Sequence, residues 1–310
     1  MFSAPNYHVK KILTLVNAKA IRARRFKVAL ETINASASVT AKPLLAALGC
    51  MVVGLNTKTN GDFVHMPEPN PKNLAAFADF VKKKKVDIGF ALDPDGDRLV
   101  LVSPTHGVIS EEYSVALATE HVLKHIEKGP IVINQSTSRM SEDIAKAYKC
   151  RAYHSIVGEP NVVALMRKKN AVIGGEGNGG VIYPRLHYGR DGMMGIALVL
   201  DYMAKSRKTI DELIVAIPHY EIAKDKVTLK DAGADIKKAF TVLRETLIKK
   251  FKDVPHTVTD GVRFAWPDRW LHVRASNTEP IVRLFAESPT LAESEALIAQ
   301  AKKSLTPFIA

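Results

Sequence analysis

Val86-Asp87-Ile88-Gly89-Phe90-Ala91-Leu92-Asp93-Pro94-Asp95-Gly96-Asp97-Arg98-Leu99 carries an apolar run straight into a turn that holds three carboxylates. The run at 86–92 reads as a buried strand, and Pro94 with Gly96 marks where it stops. Working outward, shorter apolar runs lie at 26–33 and 51–55, with helical periods between them. From Tyr7 to Val102 the chain therefore reads helix, strand, helix, strand, helix, strand, which argues an α/β layer.

The same alternation returns further on, with helices expected at 112–126 and 141–148 and strands at 130–134 and 170–174. Ala171-Val172-Ile173-Gly174-Gly175 also leads directly into an acidic, glycine-bearing loop, so two related units are expected. A helix at 192–205 follows, with Asp191 as its N-cap, and a shorter one at 210–216 stops before Pro218. Beyond Pro218 the order changes to a strand at 220–229, a basic amphipathic helix at 236–251, strands at 261–266, 270–275 and 281–287, and a helix at 291–305. Consecutive strands between two helices suggest an antiparallel sheet. The expected fold is α/β: two related α/β domains with mixed sheets, 1–104 and 105–218, followed by an α+β domain with an antiparallel sheet, 219–310.

The 310 residues are too many for one core, which stops growing at roughly 250 to 300 residues. An apolar fraction of 46% and a charged fraction of 25% exclude disordered and fibrous classes. Cys50 and Cys150 are too few for a disulfide framework and have no partners at metal-ligand spacing, which fits a reducing cytoplasm. No apolar run is long enough to span a bilayer, so no membrane association is expected. The net charge of +12 raises the question of nucleic acid. Lys82 to Lys85, however, sit at the end of a helical period, where ammonium groups complement the macrodipole. Arg22, Arg24 and Arg25 have no interleaved aromatics for base stacking. No nucleic-acid partner is expected, and an anionic small substrate suits this charge.

Asp93, Asp95 and Asp97 alternate in a tight loop and can aim their oxygens at one point. Such close like charges repel unless a cation sits among them, and hard oxygen donors suit Mg²⁺ or Ca²⁺. An EF-hand is excluded, because its sixth and twelfth positions, counted from Asp93, are Arg98 and Pro104. A haloacid-dehalogenase-type phosphotransferase, with Asp93 or Asp95 as nucleophile, would want Thr or Val two residues after the second Asp. Asp97 and Leu99 stand in the candidate places instead.

Gly174-Gly175-Glu176-Gly177-Asn178-Gly179-Gly180 is rich in glycine, so its backbone can approach a ligand closely. It lacks the Lys-Ser or Lys-Thr ending of a phosphate loop and carries an acid. Glu176 and Asn178 suit sugar hydroxyls better. Arg274-Ala275-Ser276-Asn277-Thr278-Glu279-Pro280, with Arg283 after it, lies between two expected strands. Two guanidinium groups, two hydroxyls and an amide there make a donor array for a tetrahedral dianion.

Asp93 to Arg98 resembles the metal loop of the α-D-phosphohexomutases, the family of phosphoglucomutase, phosphomannomutase and phosphoglucosamine mutase. The resemblance implies that Asp93, Asp95 and Asp97 hold Mg²⁺ and that Arg98 lies beside a phosphoserine. The stretch 175–180 is similar in place to the family's sugar-selecting loop, Gly-Glu-Met-Ser-Gly-His. Asn178 stands where Ser is common and Gly180 where many members have His, a form similar to archaeal-type members. The segment from Val157 through Gly158 to Asn161 is similar to a second sugar-side segment, with His154 just before it, and Gly189-Arg190-Asp191-Gly192 also looks like a family segment. Arg274 through Ser276, Asn277 and Thr278 to Pro280 resembles the family's fourth-domain phosphate-binding motif, Arg-x-Ser-Asn-Thr-Glu-Pro, and Arg283 follows three residues later.

The resemblance runs from about Tyr7 to Ala310 and corresponds to the second, third and fourth domains only. The family's reactive-serine loop, usually Thr-Ala-Ser-His-Asn-Pro, does not occur. Asn34 to Ser38 reads as a strand-to-helix turn and Gln135 to Ser138 as a helix N-cap, so neither takes the nucleophile's role. The resemblance implies an enzyme of the isomerase type that interconverts hexose or hexosamine 1-phosphate and 6-phosphate. Its phosphoserine domain would come from elsewhere, and the isolated chain would be inactive. The alternative is a sugar-phosphate-binding protein without catalysis.

Overall fold

In the computed structural model, residues 4–228, 236–276 and 281–306 are described, the side chains of 236–239 excepted. They fall into two compact units, Met1–Pro218 and His219–Ala310. The first begins with helices α1 (Ala4–Leu13) and α2 (Ala18–Arg24), followed by strand β1 (Lys27–Glu31), helix α3 (Ser38–Ala47), strand β2 (Met51–Leu55), helix α4 (Ala75–Lys84) and strand β3 (Ile88–Leu92). β4 (Leu99–Ser103) and the short β5 (Gly107–Val108) complete a five-stranded sheet in the order β2-β1-β3-β4-β5. β1 runs parallel to β2 and β3, with Val28 opposite Ile88, whereas β3 turns back on β4, with Leu92 opposite Leu99.

The acidic turn is thus a β-hairpin between central strands whose every residue is buried. Phe77 and Val81 of α4 pack with Ala29, Ala91, Val100 and Val102 on one face of this sheet. Lys82, Lys83 and Lys84 occupy the last turn of α4, as the sequence suggests, and Lys85 caps it in the left-handed conformation at φ 49°.

The pattern repeats through α5 (Glu112–His125), β6 (Ile131–Asn134), α6 (Met140–Ala147), β7 (Ala152–Ser155), α7 (Glu159–Lys169), β8 (Ile173–Glu176) and β9 (Gly180–Ile182). Their order, β7-β6-β8-β9, repeats β2-β1-β3-β4 strand for strand. β6 is parallel to β7 and β8, and β8 is antiparallel to β9, with Glu176 opposite Gly180. The two acidic loops therefore sit at equivalent hairpins. α8 (Gly192–Ser206) and α9 (Ile210–Val215) end the unit.

α8 is buried continuously from Gly192 to Ala204, and it touches α5, β4 and β9. A helix apolar all round has to be enclosed. Here it joins the two sheets, because α5 also contacts both β4 and β8. Asp191 caps α8 by accepting the Met194 N–H at 2.8 Å, as its position predicts. At the expected cap, Gln135 to Ser138, Ser138 Oγ accepts the N–H of Met140, the first residue of α6, at 3.2 Å, with Arg139 between them. The same turn also serves the neighbouring loop.

The second unit comprises β10 (Glu221–Thr228), α10 (Ile236–Lys250), β11 (His256–Thr257), β12 (Val262–Ala265), β13 (Trp270–Ala275), β14 (Ile281–Ser288) and α11 (Leu291–Leu305). Its sheet is antiparallel throughout, in the order β10-β14-β13-β12-β11. Val262, Phe264, Leu271, Val273, Val282 and Leu284 share a core with residues of α10 and α11, so one sheet face is covered by helices and the other faces away from them.

Candidate metal and sugar-phosphate site

At the end of β3, Asp93 is 7% exposed, while Asp95 is exposed and Asp97 half-buried. Gly96 closes the turn at φ 78° and donates its N–H to the Asp93 carbonyl at 3.1 Å, a backbone shape that favours glycine. The Arg98 N–H meets Asp93 Oδ1 at 3.1 Å. One oxygen from each of Asp93, Asp95 and Asp97 lies within 4.8 Å of the others. Burial first, and then the like charges of Asp97 and Asp95, push the Asp93 carboxyl up to about 7. A divalent cation would relieve that repulsion, and three converging carboxylate oxygens fit the hard-donor preference of Mg²⁺. Arg98 Nε stands 3.6 Å from Asp93 and 3.8 Å from Asp97, near both without a hydrogen bond to either.

The equivalent hairpin between β8 and β9 carries the glycine loop. Glu176 is 3% exposed, and its Oε1 accepts from Asn134 Nδ2 at 2.8 Å and from the Gly158 N–H at 3.0 Å. Its Oε2 accepts from Arg190 Nη1 at 2.9 Å. The structure thus places this carboxylate inside the loop, where it holds three donors. Gly158 has φ 113°, which explains why glycine precedes α7. Asn178 is half-buried and its Oδ1 accepts the Gly180 N–H at 3.2 Å. From the turn after β6, Thr137 Oγ1 accepts the Gly177 N–H at 2.9 Å.

Arg190 joins the two loops. Its guanidinium bonds Glu176 and Asp97, and its Nε lies 3.0 Å from Glu159. A side chain at position 180 would collide with it, since a Cβ on Gly180 would fall 2.2 Å from Arg190 Cδ. Backbone bonds reinforce the junction: the Leu99 N–H donates to the Gly179 carbonyl and the Gly192 N–H to the Gly96 carbonyl, both at 3.0 Å. A cavity of about 430 Å³ opens beside the metal loop, lined among others by Ser36, Thr40, Asp95, Asp97, Arg190 and Asp191. His154 lies on β7, its Nε2 3.5 Å from Glu142.

In the second unit, Arg274 and Arg283 face each other across β13 and β14, and Lys226 of β10 faces Arg283 on its other side. Directly opposed residues share a sheet face. The neighbouring positions Val273 and Leu284 belong to the helix-covered core, so the three cations form a row on the opposite face. Like charges in register destabilise a sheet unless an anion lies among them. Asp260 answers part of this charge, with Oδ1 3.2 Å from Arg274 Nε. The Ser276 N–H donates to the Ile281 carbonyl at 2.9 Å, which places Ser276 at the same end of the sheet. Asn277 and Thr278 lie outside the described residues.

Sequence reasoning named Arg190 only within a family-like segment, without a role, and missed Lys226. Arg190 stands beside a helix cap that explains its neighbour, and Lys226 is one of many lysines until strand register puts it beside Arg283.

A repeated mixed sheet whose equivalent hairpins carry a carboxylate triad and a glycine loop, together with an antiparallel α+β unit, defines the phosphohexomutase class of fold. Three models of one family match in order: phosphoglucomutase/phosphomannomutase alpha/beta/alpha domain II over residues 6–107, alpha/beta/alpha domain III over 110–220 and the C-terminal domain over 226–304. The chain belongs to the phosphoglucomutase/phosphomannomutase family. It is 36% identical over 282 residues to a phosphoglucomutase/phosphomannomutase of Thermococcus kodakarensis, an alignment covering 91% of this chain and 61% of that protein.

A crystal structure of a phosphoglucomutase/phosphomannomutase family protein from Burkholderia thailandensis superposes with a TM-score of 0.84 at 26% identity, covering 99% of this chain and 65% of that one. The N-acetylphosphoglucosamine mutase of Aspergillus fumigatus, solved in complex with GlcNAc-6P and magnesium, shares the fold at a TM-score of 0.62 and 14% identity, covering 96% of this chain and 69% of that one. This chain spans less than two thirds of the length of the Thermococcus and Burkholderia proteins. No helix among the described residues is long and apolar enough to cross a membrane.

Proposed function

We propose that this chain is the metal-, sugar- and phosphate-binding part of a cytoplasmic phosphohexomutase that interconverts hexose or hexosamine 1-phosphate and 6-phosphate. Its parts are a metal-loop domain at 1–104, a sugar-loop domain at 105–218 and a phosphate domain at 219–310. The observation that carries this reading is Arg190, which binds Asp97 of the metal loop and Glu176 of the sugar loop together. Chemistry on one face and sugar selection on the other then share a single support.

In this reading Asp93, Asp95 and Asp97 would hold Mg²⁺, which would supply positive charge to offset that of the phosphoryl group. Arg98 lies within reach of that group and stabilises its negative charge. Glu176, held by Gly158, Asn134 and Arg190, fixes the loop that presents Asn178 to sugar hydroxyls. Arg274, Ser276, Asn277, Thr278, Arg283 and Lys226 grip the phosphate that does not react, so remote binding energy positions the sugar. The phosphoserine belongs to a first domain carried by another chain or by a preceding segment.

Reconstitution tests the proposal. Adding a separately produced first domain that carries phosphoserine, with Mg²⁺, is expected to restore conversion of glucose 1-phosphate to glucose 6-phosphate, and Asp95→Ala to abolish it. Failure of the chain to bind glucose 1,6-bisphosphate at millimolar concentration contradicts the proposal. Competition among glucose, mannose and glucosamine phosphates then ranks the substrates.

A further inference from the structure

Apart from the carboxylate triad, a second set of metal-capable side chains converges where α1 meets the N-terminus of α8. His8 Nε2 lies 2.7 Å from Asp191 Oδ2, and His187 Nε2 lies 2.8 Å from the same oxygen. The three ligand atoms fall within 4.8 Å of one another. The two imidazoles come from separate segments, α1 and the loop before α8, and their rings stand 5.9 Å apart at 43°. Asp191 is 7% exposed, and its Oδ1 is committed to the Met194 N–H at 2.8 Å, so the carboxylate has a fixed orientation. His8 and Asp191 also line the cavity beside the metal loop.

We propose that His8, His187 and Asp191 form a binding site for a divalent transition-metal cation of the zinc type, separate from the Asp93, Asp95 and Asp97 triad. Two imidazole nitrogens and one carboxylate oxygen select zinc, cobalt or nickel over magnesium, which prefers oxygen alone. Ligand bonds of about 2.0–2.1 Å around a tetrahedral ion put donor atoms about 3.3 Å apart. Each present histidine–aspartate contact therefore opens by roughly half an ångström, a change that side-chain torsions absorb. The cavity leaves a fourth position for water. The positive end of α8 opposes a cation, and the Asp191 carboxylate between them offsets that opposition. Occupancy would tie α1 to α8, whose Gly192 N–H bonds the Gly96 carbonyl of the metal loop. The site stands independently of the mutase reading, since it needs neither sugar nor phosphoserine.

The test is titration of the chelator-stripped chain with Co²⁺, followed by visible absorption and then displacement with Zn²⁺ or Mg²⁺. The expected result is one equivalent of nitrogen-ligated Co²⁺, displaced by Zn²⁺ and not by excess Mg²⁺. His187→Ala and, separately, His8→Ala should weaken Co²⁺ binding by about a hundredfold or more, through loss of a direct ligand. Asp95→Ala should leave the nitrogen-ligated Co²⁺ absorption unchanged, whatever Co²⁺ the carboxylate triad takes up in the parent chain. Circular dichroism establishes that each variant is folded, and both histidines are partly exposed. Absence of the band in the parent chain, binding as tight as the parent's in either histidine variant, or loss of the band in Asp95→Ala overturns the proposal.

Discussion

Arg190→Ala removes the cation that three carboxylates share. The Glu176 side chain is 4% exposed and that of Arg190 16%, so the pair lies largely out of solvent. Removing one partner of a buried pair costs about 3–5 kcal/mol, because the other charge is left uncompensated. Glu176 keeps Asn134 and Gly158 on Oε1, which puts the expected loss near the lower end, about 3 kcal/mol. Over the 218 residues of the first unit an unfolding entropy of about 2.1 cal/mol/K per residue converts this into a fall in Tm of ~7 °C.

Calorimetry reads that fall. Both tryptophans, Trp266 and Trp270, belong to the second unit, so tryptophan fluorescence reports on the unit that was not altered. Glu176→Gln and the double variant complete a mutant cycle, and the pair should couple by about 2 kcal/mol. A coupling below about 0.5 kcal/mol, within the scatter of independent sites, refutes the assignment of Arg190 as the tie between the loops.

Two further outcomes concern the second unit. Lys226→Ala, at an exposed strand position, should weaken binding of glucose 1,6-bisphosphate about tenfold, as expected for one charge-assisted contact, without lowering fluorescence-monitored stability; equal affinity in calorimetry removes Lys226 from the phosphate grip. His272 is fully buried, and that burial pushes its imidazole down to about 4. The unfolded chain then binds the extra proton first, so stability is full above about pH 6.5 and falls toward pH 4, by on the order of 3 kcal/mol. Urea unfolding followed by tryptophan fluorescence across that range checks this, with His272→Gln expected to flatten the profile; an unchanged profile contradicts it.

The metal loop was legible because its chemistry is local: alternate aspartates around Pro94 and Gly96 state their geometry in five residues. The repeat was legible for a related reason, since each buried strand runs straight into its loop. The strands β5, β9 and β11 were not recognised, being only two or three residues long, and β7, Ala-Tyr-His-Ser, is half-buried and lacks the apolar run that marks β6 and β8. β4 escaped notice because Leu99–Ser103 continues the apolar character of β3 across the turn, which periodicity alone does not divide.

Glu176 shows a different limit. Its residue type and its glycine neighbours suggested a hydroxyl acceptor, and only the folded chain reveals that Asn134, Gly158 and Arg190 occupy its oxygens. The departure at Gly180 from the His of the family's usual sugar-loop pattern also gains a physical reason. The Arg190 stem passes through the space a side chain would fill.

The triad Asp93, Asp95 and Asp97 is the feature on which the functional reading depends most. Isothermal titration of Mg²⁺ into the chain and into Asp95→Ala tests it directly. Asp95 is exposed, so its replacement leaves the fold intact. One Mg²⁺ per chain is expected, with an affinity about tenfold or more weaker in the variant, each lost carboxylate removing a charged ligand. Equal affinity in the two proteins, or no binding in either, contradicts it.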